Sequence, residues 1–365
     1  MSGDAFILWL DHAAAPGNLL LGGKFASLAE MTAAGFAVPP GFGVSTAAYR
    51  HFMRTTGLAA EAEEVQKTAR SLALPDIKAR SANLVDAIAA APMPDALEAA
   101  VRANYALLEE KTGQTDVPVA VRSSGESEDL AGASFAGQYD TYLWTTGADA
   151  VLQNMRACWA SMFGEAVLSY RREVEDAGAA EDSAICVGIQ QMVEARAAGV
   201  MFTLDPLNGD RSKIVMEACW GLGEGVVKGD ISPSRFAIDK VTFETIKREI
   251  VPQQEEYRFD PDAGAVALMP VAAGRRESAC IDTPEAIALA KLGKDIEQRR
   301  GAAQDIEWAI SEAGDIRVLQ VRPETVWSQR ESGGLVESAK SPVDHVLARF
   351  AGVPVAGGAS DKGQS

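Results

Sequence analysis

The chain has 365 residues, a length that suits two domains or one large bilobal one, and is 47% hydrophobic and 23% charged, ordinary for a globular protein with a sizeable core. Lys and Arg number 34 against 51 Asp and Glu, giving a net charge of −17. That balance excludes sequence-independent binding to nucleic acid or to anionic membranes, which needs a basic surface, while leaving room for a local cluster that binds one phosphate group.

The apolar run from Ala5 to Leu10 lies between Asp4 and Asp11. It follows no basic segment and is too short for a secretory signal, so it predicts a strand. No run of about 18 apolar residues occurs, so no transmembrane helix is expected. Residues 24–34 place Phe25, Leu28 and Met31 on one face of a helix that Gly35 ends. Pro39 and Pro40 lead into an extended GFGVST, and residues 44–112 read as helix punctuated by Pro75, Pro92 and Pro94. Val117–Arg122 alternates as a strand and opens into SSGESEDLAGASFAGQ, a long loop of small and acidic residues. Residues 147–175 return to helix, with Leu152, Met155, Trp159 and Met162 as a core stripe.

The polar run EDAGAAEDS at 175–183 predicts a lobe boundary. Beyond it, ICVGIQQMV, AAGVMFTLDP and KIVMEACW read as strands. Thr283, Pro284 and Glu285 read as N-cap, N1 and N2 of a helix along Leu289, Leu292 and Ile296. DIEWAI–SEAGD–IRVLQVRP reads as a hairpin. The expected organisation is an N-terminal lobe over 1–182, a C-terminal lobe over 183–328, and a tail or docking segment over 329–365. Cys158, Cys186, Cys219 and Cys280 form no CxxC pair, and are expected to be reduced, buried thiols of a cytoplasmic protein.

The hairpin concentrates the chemistry. If Ala313–Gly314 is a two-residue turn, Glu307 faces Gln320 and Asp305 faces Arg322. Alternation then sets those four with Ala309 and Val318 on one side, and Ile306, Trp308, Ile310, Leu319 and Val321 on a core side. A carboxylate beside a carboxamide oxygen is a pair of hard ligands for Mg²⁺, and an Arg beside it is a planar fork for phosphate. A solvated strand face with a cross-strand Asp–Arg pair accounts for the same residues, and spacing alone leaves both readings open. Gly22-Gly23-Lys24 at a helix mouth suits a phosphate but is not a Walker A motif; a turn followed by a surface Lys fits as well. Arg122 closes a strand before a loop whose small residues allow backbone approach to a polyphosphate. His12, His51 and His345 lie far from one another and from any Ser-Asp constellation, so neither a hydrolase triad nor a His metal site is expected.

GGKFASLAEMTAAGFAVPPGF, VAVRSSGESEDLAGASFAGQYDTYL, IQQMVEARAAGVMFTLDP, EACWGLGEGVVKG and DIEWAI…LQVRP occur in this order. Together, over about residues 5–327, they resemble the N-terminal ATP-binding domain of the phosphoenolpyruvate synthase and pyruvate phosphate dikinase family. The resemblance implies an α+β, ATP-grasp-like two-lobed fold holding ATP and Mg²⁺ between its lobes. It implies catalytic roles at the phosphates for Lys24, Arg122 and Arg322, under a loop ending at Gly137 and Thr141. It implies that Gln190, Met192 and Val193 border adenine and ribose, that Glu217 joins the nucleotide site, and that Glu307 and Gln320 hold Mg²⁺.

Relatives continue into a swivelling domain with a phosphorylated histidine and an acceptor-substrate domain; His345 does not match that histidine motif. The expectation is therefore the ATP-binding subunit of a split dikinase-type phosphotransferase. It would convert ATP to AMP and phosphate by phosphorylating a histidine on a partner subunit, which then phosphorylates a small acceptor. Phenol or p-cresol is the expected acceptor, by resemblance to phenylphosphate synthase and 4-methylphenyl phosphate synthase. A split phosphoenolpyruvate synthase acting on pyruvate, an ATP-grasp ligase releasing ADP and a nucleotide-sensing subunit without turnover are the alternatives. No nucleic-acid or membrane partner is expected.

Overall fold

The computed structural model describes residues 6–12, 18–68, 74–125, 140–173 and 184–327. The chain opens with β1 (Ile7–Trp9), a 3-10 turn at Leu19–Leu21, α1 (Gly22–Ala33) and β2 (Gly41–Val44). Helices α2 (Thr46–Thr55), α3 (Ala59–Thr68), α4 (Leu74–Ala90) and α5 (Asp95–Thr112) follow. Next come β3 (Val119–Gly125), β4 (Thr141–Thr145), α6 (Ala148–Ser161) and α7 (Glu165–Glu173). The second half contains β5 (Ile185–Gln191), β6 (Ala195–Phe202), β7 (Lys213–Trp220), α8 (Glu224–Lys228), β8 (Ser234–Asp239) and β9 (Thr245–Glu249). It ends with β10 (Glu255–Asp260), β11 (Ala265–Pro270), α9 (Thr283–Arg300), β12 (Gln304–Ser311) and β13 (Ile316–Pro323).

The fold is mixed α and β. A five-stranded sheet runs β1-β2-β5-β3-β4, a six-stranded sheet runs β13-β12-β6-β7-β8-β9, and β10-β11 form a separate ribbon. Strand β5, which follows the lobe boundary expected at 182/183, is hydrogen-bonded to both β2 and β3 of the first sheet. Ile185, Val187 and Ile189 of β5 complete the first core, and the chain crosses to the second sheet only at 192–194. The compact unit ends at Glu324, and the expected tail at 329–365 lies outside the described residues, as do most of the two polar loops.

The first sheet buries Phe42, Val119 and Val121 against Phe52, Leu84 and Trp159 of the surrounding helices. The second buries Met201, Met216, Ile306 and Trp308 against Leu289 and Ile296 of α9. Helix α9 starts one residue earlier than its composition suggests: Asp282 is the N-cap and forms a reciprocal capping box with Glu285, leaving Thr283 and Pro284 at N1 and N2. The helix expected over 147–175 is two helices, α6 and α7, with a break at Met162–Gly164.

Helix α1 spans the two sheets. Phe25 packs against the first sheet with Leu21 and Cys186, while Met31 belongs to the core of the second. The Ser27 hydroxyl donates to the Val321 carbonyl of β13 at 2.6 Å, and Glu30 pairs with Arg300 at 2.6 Å. Two glycines make this fit possible. A Cβ on Gly188 would come within 1.8 Å of the Phe25 ring, and one on Gly22 within 2.0 Å of the Ser124 carbonyl oxygen. Gly22 also sits at φ +64°, where a side chain adds strain.

Candidate active site

The hairpin β12–β13 sets the centre. Its register pairs Asp305 with Arg322 and Glu307 with Gln320, as the spacing predicts, but by a different route. The turn is longer than two residues: the Ser311 N–H bonds the Asp315 carbonyl, the Gly314 N–H bonds the Ser311 carbonyl, and Gly314 lies at φ +89°. This pairs Trp308 with Val318, and a bulge at Leu319 then restores the register at Glu307. The bulge also exchanges two faces. Val318 enters the core beside Trp308, whereas Leu319, expected there, lies on the opposite side with Ala309, Met192 and Val193.

Directly opposed residues share a face, so Gln320, Glu307, Val200, Glu217 and Arg235 form one row across five strands. Arg122 reaches this row from β3 of the other sheet. One of its terminal nitrogens, Nη2, donates to Gln320 Oε1 at 2.7 Å and lies 3.4 Å from Glu307 Oε2; Nη1 donates to the bulged Leu319 carbonyl at 3.0 Å. The bulge is what supplies that carbonyl. Beside this group, Asp305 Oδ2 accepts from Arg322 Nε at 2.8 Å and lies 2.7 Å from Nη2, which fixes the guanidinium against β12. Burial holds the Asp305 carboxyl above its ordinary range; Arg322 opposes the shift, and Glu307 and Glu324 add to it.

Lys24 stands in the first turn of α1. The N–H of Phe25 donates to Ser124 Oγ, whose hydroxyl donates to the Leu21 carbonyl, so the end of β3 caps the helix that carries Lys24. Burial and the Asp140 charge push the Cys158 thiol up, with the Lys24 charge opposing, and its sulfur contacts the Val121 and Asp140 carbonyls. Thr141 is opposite Arg122 across β3–β4. Gln190 is buried, with Nε2 3.4 Å from the Pro39 carbonyl, and the Met192 N–H bonds the Pro118 carbonyl at 2.8 Å. Met192 and Val193 join Leu143 and Leu319 in a half-buried apolar bed that adjoins Gln320.

The structure therefore brings Arg122, Glu307 and Gln320 into contact, with Arg322 on the neighbouring cross-strand pair. It does not bring Glu217 into that group: its carboxylate is engaged with Arg235 at 3.0 Å. Gly137 lies outside the described residues. A cavity of about 430 Å³ takes in Thr141, Trp144, Glu224 and Tyr257, and none of the other expected site residues. The spacing presents Asp305 only as a cross-strand partner of Arg322, and its place in DIEW, two residues before Glu307 on the same face, is the signal for a larger role. The Leu319 carbonyl had no signal, because a bulge follows from the turn length and not from residue types.

Glu307 and Gln320 converge on one cationic nitrogen, so their oxygens are already aimed at a common point of positive charge, as a pair of Mg²⁺ ligands would be. Among the described residues no group of three or more His, Cys, Asp and Glu is arranged for a metal. Such a pair suits an ion whose other ligands are phosphate oxygens and water.

Residues 18–341 match the family described as pyruvate phosphate dikinase, AMP/ATP-binding domain. The chain belongs to this family. It is 36% identical over 354 residues to a probable phosphoenolpyruvate synthase of Staphylothermus marinus, covering 89% of this chain and 42% of that protein. It is 38% identical over 324 residues to a probable phosphoenolpyruvate synthase of Methanocaldococcus jannaschii, covering 88% of this chain and 27% of the other. Prodigiosin synthesizing transferase PigC of Serratia marcescens is 39% identical over 305 residues, covering 84% of this chain and 31% of PigC. The chain thus spans less than half the length of these relatives. No helix among the described residues is long and apolar enough to cross a membrane.

Proposed function

We propose that this domain binds Mg²⁺–ATP between its two sheets and passes phosphoryl groups to an imidazole carried by a separate subunit with a swivelling histidine domain. The observation that carries the reading is the meeting of Arg122 from one sheet with Glu307 and Gln320 from the other. We read the two-sheet arrangement as ATP-grasp-like, with Met192, Val193 and Leu319 as the bed for the base beside the charged cluster. Gln190 borders it, and Thr141, opposite Arg122 across β3–β4, lies at the phosphates. Four free, buried cysteines accord with a reducing, cytoplasmic setting.

Lys24 supplies a point charge to the phosphates, and Arg122 and Arg322 supply planar donor forks. Asp305 orients the Arg322 fork. Bound Mg²⁺, held by Glu307 and Gln320, would neutralise charge on the phosphate oxygens. The chain's own work is positioning and charge compensation in line with an incoming nucleophile. Neither described histidine touches the cluster: His12 lies 3.9 Å from Asp11, and His51 packs on Phe6 at 4.9 Å between ring centroids. In this reading the nucleophile comes from the partner. Its imidazole nitrogen attacks the β-phosphorus, the bond to the AMP oxygen breaks and AMP leaves. Water then removes the terminal phosphate, and the remaining phosphoryl group passes to a hydroxyl of a small acceptor, phenol or p-cresol.

The test mixes the chain with the histidine-bearing partner and ATP labelled separately at the β and γ positions. AMP, free phosphate from the γ position and β label on a partner histidine are expected. ADP as the product favours a ligase, and ATP binding without label transfer favours a sensing subunit. Phenol, p-cresol and pyruvate as parallel acceptors separate the phenolic reading from a phosphoenolpyruvate synthase.

A further inference from the structure

We infer that Arg122 is a built-in stand-in cation, which occupies the oxygens meant for the divalent metal and releases them only when a polyphosphate draws its guanidinium away. The inference rests on the reading of Glu307 and Gln320 as metal ligands and adds an order of binding: the metal enters with the nucleotide and not before it.

The geometry is specific. A single nitrogen, Nη2, reaches both Gln320 Oε1 and Glu307 Oε2, at 2.7 and 3.4 Å. An ion bound by those two oxygens would compete with that nitrogen for the same acceptors and set a second positive charge against it, so guanidinium and metal oppose each other. Nη1 is tied to the Leu319 carbonyl at 3.0 Å, which keeps the fork seated. The Arg122 side chain is only 14% exposed and that of Glu307 26%, so expelling the guanidinium without giving it a new anion leaves a poorly solvated charge. Free Mg²⁺ offers no such anion. A nucleotide triphosphate does: its oxygens accept the Arg122 donors while the metal it carries takes over Glu307 and Gln320. One side chain thereby couples metal and nucleotide, and also ties the two sheets together until the exchange occurs.

The experiment measures Mn²⁺ binding to the nucleotide-free chain by water-proton relaxation, in wild type, Arg122→Gln and Arg122→Lys. Arg122→Gln is expected to bind Mn²⁺ at least tenfold more tightly than wild type, and Arg122→Lys to fall between, because an ammonium keeps the charge but not the fork. Arg235→Gln, which removes a positive charge from the same face three strands from Glu307, is expected to shift Mn²⁺ affinity by less than threefold. If Arg122→Gln does not fold, by circular dichroism, the comparison of wild type with Arg122→Lys carries the test, and equal Mn²⁺ affinity of those two overturns the proposal. It is equally overturned if nucleotide-free wild type binds Mn²⁺ as tightly as Arg122→Gln, or if Arg235→Gln tightens binding as much. Those results leave ATP binding intact. A wild type that binds no Mn²⁺–ATP, or binds it independently of Glu307→Ala and Gln320→Ala, instead removes the reading of the site itself.

Discussion

Helix α1 carries Lys24, and its seat depends on one missing methyl group. A Cβ on Gly188 would stand 1.8 Å from both Cε2 and Cζ of Phe25, whereas ordinary contacts run from 3.4 to 4 Å. The Phe25 ring must therefore move by roughly 1.5 Å, in a core where it is 1% exposed and its own N–H is held by Ser124. Overpacking of this kind costs about 1–3 kcal/mol. Truncating the ring in Phe25→Ala empties its place and costs about 3–5 kcal/mol. In the double variant the added methyl occupies part of the vacated space, so the two losses should fall short of additivity by about 1–3 kcal/mol. Urea unfolding of the four proteins measures this coupling, and ATP titration of Gly188→Ala should show weakened binding because the start of α1 shifts with the ring. Additive losses within about 0.5 kcal/mol, or a Gly188→Ala protein with unchanged stability and nucleotide affinity, would refute the seating of α1 through Phe25 on Gly188.

Further outcomes follow from the charged groups and the thiols. Burial raises the Asp305 carboxyl from 3.8, so the native state takes up that proton at higher pH than the unfolded chain, and this group's contribution to stability falls as pH rises through the window. Asp305→Asn should remove that component, seen as a smaller gain in urea stability on acidification from pH 7 towards 4; identical slopes in both proteins would contradict it. Lys24→Ala should lower AMP formation about 10²–10³-fold at unchanged fold, whereas Arg322→Ala should in addition lose stability because it strands the buried Asp305. Near-normal turnover in either variant would remove the residue from the mechanism. All four cysteines are buried and burial raises each thiol, that of Cys280 to about 12, so a thiol reagent should react slowly with native protein and with four groups after unfolding. One fast native thiol would count against the packing.

Periodicity exposed much of this molecule. The strand at Ile7–Trp9 and the strands from Ile185 to Trp220 follow from short apolar runs, and the helix carrying Phe25, Leu28 and Met31 from helical apolar spacing. Which sheet a strand joins was not legible in this way, since a polar run marks a loop and cannot say where the next strand pairs; β5 returns to the first sheet by pairing with β2 and β3. Strand β9 has no signal in the sequence because Thr245–Glu249 is exposed throughout and has no apolar rhythm. In the hairpin, the pairing of Glu307 with Gln320 came out right because a longer turn and a bulge cancel, while Val318 and Leu319 changed faces. The meeting of Arg122 with that pair is a long-range contact between sheets, which local spacing cannot encode.

A crystal structure with Mg²⁺ and a non-hydrolysable ATP analogue tests the central claim most directly. The account predicts the ion on the Glu307 carboxylate and the Gln320 carboxamide oxygen at about 2.0–2.1 Å, with Lys24, Arg122 and Arg322 donating to the phosphates. A nucleotide seated elsewhere, such as the cavity beside Trp144 and Tyr257, with Arg122 still on Gln320 and Glu307, would contradict it.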